Sequence, residues 1–146
     1  MNLNNLKKLS GDASFRSFYR KKNLNHSSVF VYCKKEKKSN LLVYDAINKI
    51  LLKKNLLAPK LINQNYYKNN IEIEDFGDLT VFQMLRKKNI NKILYYKKII
   101  LLLKNIQKIK TKKIKTFLNT QYKIPNYSKE KLFNEANLFL QWYLPK

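Results

Sequence analysis

The chain has a single cysteine, Cys33, and a single histidine, His26, so it holds neither a disulfide framework nor a Cys/His metal cluster. That usage suits a reducing compartment, and a cytoplasmic location is the expectation. Its two glycines, Gly11 and Gly77, are too few for a G-x-G-x-x-G loop, and no Walker sequence is present. The longest apolar run, residues 99–103, falls far short of the ~20 residues that span a bilayer, so no membrane segment is expected. The opening MNLNNLKKLS lacks the apolar core of a signal peptide. Acid is scarce as well: nine Asp and Glu face 31 Lys and Arg, a formal net charge of +22.

A charge of that sign ordinarily points to nucleic acid or an anionic surface, because clustered cations release counterions from phosphate. Here nearly all of it is lysine. The arginines are Arg16, Arg20 and Arg86 alone, although arginine is the side chain that reads phosphates and guanine edges through two parallel bonds. The lysines are spread along the chain among many Asn and Ile residues, three residue types that share AT-rich codons. Coding bias therefore explains the charge better than nucleic-acid binding does. With 146 residues, 45% of them hydrophobic, the chain is long enough for one domain with a core.

The apolar pattern predicts an α+β fold. Residues 13–20 and 27–34 read as a strand hairpin around the polar turn 21–26, rich in aromatic and β-branched residues. Residues 40–55 read as a helix, with Leu41, Tyr44, Ile47 and Ile50 at helical spacing, Ser39 or Asn40 as cap, and Ala58-Pro59 as a stop. A second hairpin, 60–67 with 70–75, turns at Lys68 and Asn69, and Ile71 and Ile73 alternate with Glu72 and Glu74. From Leu79 onward every periodic stretch is helical: 80–88, 91–112 and 128–143, the last with Ser128 as a plain N-cap.

Two short motifs carry chemistry. In GDASFRSFYR, residues 11–20, Gly11 precedes Asp12, Ala13 and Ser14, a tight turn whose N–H groups and Ser14 hydroxyl suit phosphate oxygens. By itself such a string is more often an ordinary turn. Arg16 and Arg20 lie an even number of residues apart and so share a strand face, where they either flank an anion or stand as solvated edge charges. In IEIEDFGDLT, residues 71–80, a strand ends in a turn that concentrates four of the nine acids between Glu72 and Asp78. Asp75-Phe76-Gly77 imitates the magnesium motif of protein kinases, but it lies before any catalytic loop, whereas that motif follows it.

The order of strands, one helix, a glycine joint and then helices resembles the protein-kinase-like fold of the aminoglycoside phosphotransferase family. GDASFRSFYR, IEDFGDLT and IPNYSKEKLFNEANLFLQWYL (residues 124–144) are similar to three segments of the bacterial N-acetylmuramate/N-acetylglucosamine anomeric kinases. The resemblance implies a nucleotide-binding small lobe over residues 1–76, an antiparallel sheet with one helix. It implies the first helices of a truncated large lobe over 77–146. It implies ATP and Mg²⁺ as cofactors, with Gly11, Asp12, Ala13 and Ser14 facing phosphates and the backbone near Glu74, Asp75 and Phe76 meeting adenine. Kinase-like folds also use a third-strand lysine oriented by a helix acid. The nearest candidates are Lys34 and Asp45, but the lysine position itself falls at or near Cys33, which leaves the ion pair in doubt. Asp45 reads equally as a surface acid.

The same resemblance places the catalytic Asp and the metal ligands on a His-x-Asp-x-x-x-x-Asn segment and a later Asp. His26 sits in the first hairpin and is not that loop. The expectation is a fragment of an ATP-dependent amino-sugar phosphotransferase, inactive alone, with a natural truncation, a split gene whose second chain carries the missing half, and a sequencing fragment all left open as its origin. The alternative is a non-catalytic basic module that binds RNA or acidic partners through the lysine-rich helix 87–115.

Overall fold

The computed structural model describes residues 6–10, 15–22 and 26–143. It is α+β: a five-stranded antiparallel sheet, a separate two-stranded hairpin and four α-helices. The sheet is built from β1 (Leu6–Lys8), β2 (Arg16–Lys22), β3 (Ser27–Cys33), β4 (Leu61–Asn65) and β5 (Asn70–Glu74), in the order β1-β2-β3-β5-β4. β3 is central and obeys a period of two: Val29, Val31 and Cys33 are buried, whereas Phe30 and Tyr32 are not. Ile71 and Ile73 of β5 lie opposite Val31 and Val29, so four branched side chains share one face. Both edges are blunted, β1 by its brevity and two lysines, β4 by a register shift between Leu61 and Asn63.

Helix α1 (Ser39–Lys53) lies between β3 and β4 in sequence and covers that face, with Leu41 fully buried against Val31, Cys33 and Ile71. Its N-cap is Lys38, without a side-chain cap bond, rather than Ser39 or Asn40; the Asn40 amide donates instead to the carbonyl of Lys37 at 2.9 Å. Its C-terminus is closed by paired bonds, Leu56 N–H to Leu51 O and Asn55 N–H to Leu52 O, both 3.0 Å. Asn55 sits there at φ 56°, and Asn69 and Asn119 adopt φ 57° and 59° in two other turns. In a chain with two glycines, asparagine takes the left-handed positions, since its short polar side chain tolerates them best after glycine.

The second half holds α2 (Val81–Leu85), α3 (Lys92–Gln107), β6 (Lys113–Lys115), β7 (Gln121–Lys123) and α4 (Lys129–Tyr143). Thr80 and Gln83 form a reciprocal capping box on α2, Asn91 caps α3, and Ser128 accepts from Lys131 N–H at 3.2 Å to start α4. The expectation that everything past Leu79 is helical fails at β6 and β7. There Ile114 is buried between exposed Lys113 and Lys115, a strand period in a segment too short for periodicity to separate from a helix end. The hairpin packs on α1 through Ala46, Ile50 and Ile114, joined by Ile109 from beyond α3.

Substituting Leu41 by Ala should therefore cost about 2–5 kcal/mol of unfolding free energy, since it empties a site with no exposed surface. Ile100→Ala on the exposed side of α3 should stay within about 0.5 kcal/mol. Urea denaturation of the two variants beside the parent chain measures both.

Candidate functional site

The cross-strand register aligns Arg20, Val29 and Ile73 in one row across β2, β3 and β5. Arg20 thus points to the covered face of the sheet, and its head reaches the turn that follows β5. Nε lies 2.6 Å from Asp75 Oδ2, Nη2 donates to Asp75 Oδ1 at 3.0 Å, and Nη1 donates to Asp78 Oδ1 at 2.6 Å. Arg20 and Asp75 keep only 7% and 3% of their side chains exposed, against 79% for Asp78. The charge of Asp75 is therefore matched within the protein, while Asp78 is shared with solvent. Gly77 N–H adds a 2.9 Å bond to Asp75 Oδ1, and Gly77 adopts φ 78°, a conformation glycine takes without strain.

Burial is the largest single influence on the Asp75 carboxyl and pushes its pKa up. The bonds from Arg20, Ser27 and Gly77 N–H outweigh it together and hold the group below its ordinary value. The same pairing, with Asp75 first and Asp78 second, raises the Arg20 pKa, so the guanidinium stays charged.

The other residues singled out in the sequence fall in different places. Gly11, Asp12, Ala13 and Ser14 lie outside the described residues, in the connection between β1 and β2. Glu74 closes the end of the β4–β5 hairpin: its N–H donates to Lys60 O at 2.9 Å and its Oε2 accepts from Lys60 N–H at 3.2 Å. Phe76 is half exposed, and among the described residues no hydrogen bond reaches its main chain. Lys34 is exposed, one residue past β3.

Asp45 is buried, not a surface acid. Its Oδ2 accepts from Phe117 N–H at 2.7 Å and from Lys49 Nζ at 2.8 Å, which moors the turn between β6 and β7 to α1. Among the described residues no ion pair joins it to Lys34. Cys33, at or near which the family resemblance puts the third-strand lysine, is buried with its Sγ within hydrogen-bond reach of Lys37 O at 3.0 Å and Phe15 O at 3.3 Å. Burial pushes its thiol pKa up, so the group stays a neutral donor. Arg16 and Arg20 do share a face, as their spacing requires. That face is the covered one: Arg16 lies 5.2 Å from the ring centre of Tyr44 on α1, and Arg20 is committed to Asp75 and Asp78.

Sequence reasoning missed the Arg20 clamp. The available signal was its rarity, one of three arginines amid lysines, at a site where a planar fork is needed to hold two carboxylates. No protein-family model matches the chain, and no curated protein matches it significantly. The functional reading therefore rests on the geometry of residues 74–78 and on the sequence motifs.

Because the folded-state pKa of Asp75 is depressed, its contribution to stability is complete above the unfolded value of about 3.9 and disappears as pH falls through the lower folded value. Asp75→Ala should lower stability by about 3 kcal/mol at pH 7, since it leaves a buried guanidinium with one exposed partner. The deficit should shrink as the solution is taken below pH ~4. Denaturant titrations of parent and variant across that range measure the convergence.

Proposed function

We propose that the chain is part of an ATP-dependent small-molecule phosphotransferase of the kind that phosphorylates amino sugars, with residues 1–76 as its nucleotide-binding small lobe and residues 77–146 as the first helices of its large lobe. The observation that carries this reading is the joint after β5. A strand ends in a turn whose side chains are pinned by Arg20, while among the described residues the N–H and C=O of half-exposed Phe76 have no hydrogen bond. Pinned backbone donors and acceptors with no internal partner suit the edge of a planar base such as adenine. The order of elements supports the same reading. The third strand leads into one helix, and a hairpin delivers the chain to the joint.

In this proposal residues 11–14 face the phosphates, the backbone of Glu74, Asp75 and Phe76 meets adenine, and residues 124–142 help frame the acceptor. Among the described residues no cluster of three or more His, Cys, Asp or Glu fits a metal ion, so no step is assigned to Mg²⁺ on this chain. The activity proposed for the chain itself is nucleotide binding, with phosphoryl transfer dependent on an acid and metal ligands from elsewhere.

Fluorescent ATP analogues should bind saturably with a dissociation constant below about 1 mM. GTP should compete at least ~10-fold more weakly, because its base presents the opposite hydrogen-bonding edge. Asp75→Ala should weaken ATP at a temperature where circular dichroism shows the variant folded. Absence of saturable ATP binding by the parent chain, or equal competition by ATP, GTP and bare triphosphate, would defeat the adenine-site assignment.

A further inference from the structure

Helix α3 carries two apolar stripes that the fold treats differently. On one, Ile99 is half-buried, Leu102 and Ile106 are 43% and 39% exposed, and the stripe runs on to Ile109, which packs on the Ala46–Ile50–Ile114 cluster. On the other, Ile93, Tyr96, Ile100 and Leu103 are each 52% exposed or more. Their spacing of three, four and three residues is that of a heptad seam, which a facing helix covers by inserting its own side chains. Lys97 and Lys104 each follow a seam residue by one position and are exposed, the place from which flanking charges reach a partner.

Nothing nearby in sequence neutralises them. From residue 79 to residue 129 there is no Asp or Glu, against fourteen Lys and Arg. The acids of the sheet and of α1 are already engaged: Glu72 with Ser28 and Lys21, Asp75 and Asp78 with Arg20, Asp45 with Lys49.

We propose that the Ile93–Tyr96–Ile100–Leu103 seam docks an acidic amphipathic helix of a partner polypeptide, with aliphatic residues at its own seam and glutamates facing Lys97 and Lys104. Charge complementarity selects this occupant. A second copy of the chain would set Lys97 and Lys104 against each other in an antiparallel pair, or Lys97 against Lys92 in a parallel one, and like charges at such positions repel. RNA offers charge but no aliphatic surface for the seam. The inference stands independently of nucleotide binding.

The test uses the full chain and synthetic peptides of about four heptads. One carries Leu at its seam with Glu flanks, one has the same composition scrambled, and one carries Lys flanks. Fluorescence anisotropy should show binding of the Glu-flanked peptide, with amide-exchange protection confined to α3. The Lys97→Glu/Lys104→Glu double variant, its melting curve unchanged because both sites are exposed, should bind that peptide about tenfold more weakly and gain affinity for the Lys-flanked one. Equal binding of the scrambled peptide, an unchanged affinity in the double variant, or no binding below ~100 μM overturns the proposal. So does displacement of the peptide by poly(U) or by phosphatidylserine vesicles that bind more tightly.

Discussion

A guanidinium removed from water is tolerated only where carboxylates replace its hydration, and Arg20 meets that condition at one place, the end of β5. The constraint acts in both directions. Arg20 needs Asp75 to remain buried, and the turn from Asp75 to Asp78 needs Arg20 to hold its shape. Two carboxylates three residues apart converge on one fork, and Gly77 N–H adds a second bond to Asp75 Oδ1, beside that from Arg20 Nη2. A lysine would bring a single point charge to a site that requires donors in two directions. The position of the Phe76 peptide groups, and with it the candidate adenine edge, follows from this one cluster.

The two positions that a kinase-like phosphate pair would occupy serve packing instead. Cys33 is enclosed between Lys37 and Phe15 carbonyls, and Asp45 is spent on Phe117 N–H and Lys49. A charged group buried in that way is fixed by its partners, because releasing either bond would strand it in low dielectric. In the proposed reading, nucleotide recognition leans on the β5 end of the sheet rather than on a lysine–acid pair at its centre. Asp45 gains a different importance: it ties the β6–β7 turn, from the second half of the sequence, to the helix that covers the sheet. Tyr66, from the β4–β5 turn, meets Phe117 of the β6–β7 turn edge to face at 6.0 Å.

Strong local periodicity was legible in advance. β3 with its alternating Val29 and Val31, α1 with Leu41 and Ile50, β5 with Ile71 and Ile73, and the Ser128 start of α4 all follow from residue spacing and capping chemistry. What escaped were elements whose pattern is shorter than a period or whose stability is tertiary. β1 is three residues, Leu-Lys-Lys, and is held by pairing with Tyr19, Arg20 and Lys21 rather than by propensity. β6 has one buried side chain, Ile114, which α1 selects. At the candidate site, the acidic turn was conspicuous as composition. Its clamp was not, because Arg20 stands 55 residues from Asp75 in sequence and only the sheet register brings them together.

The two halves differ in how far they satisfy themselves. In the sheet and α1, apolar faces are covered and acids are paired. In α3 an apolar seam and a row of lysines face solvent together, and these two deficits call for one remedy, since a surface that is both aliphatic and acidic would relieve them at once. Ile109, just beyond α3, packs on Ala46 and Ile50, and Leu41 of the same helix sits on Val31 and Ile71. The seam residues belong to neither of these clusters, so a partner seated on them would be held by α3 itself.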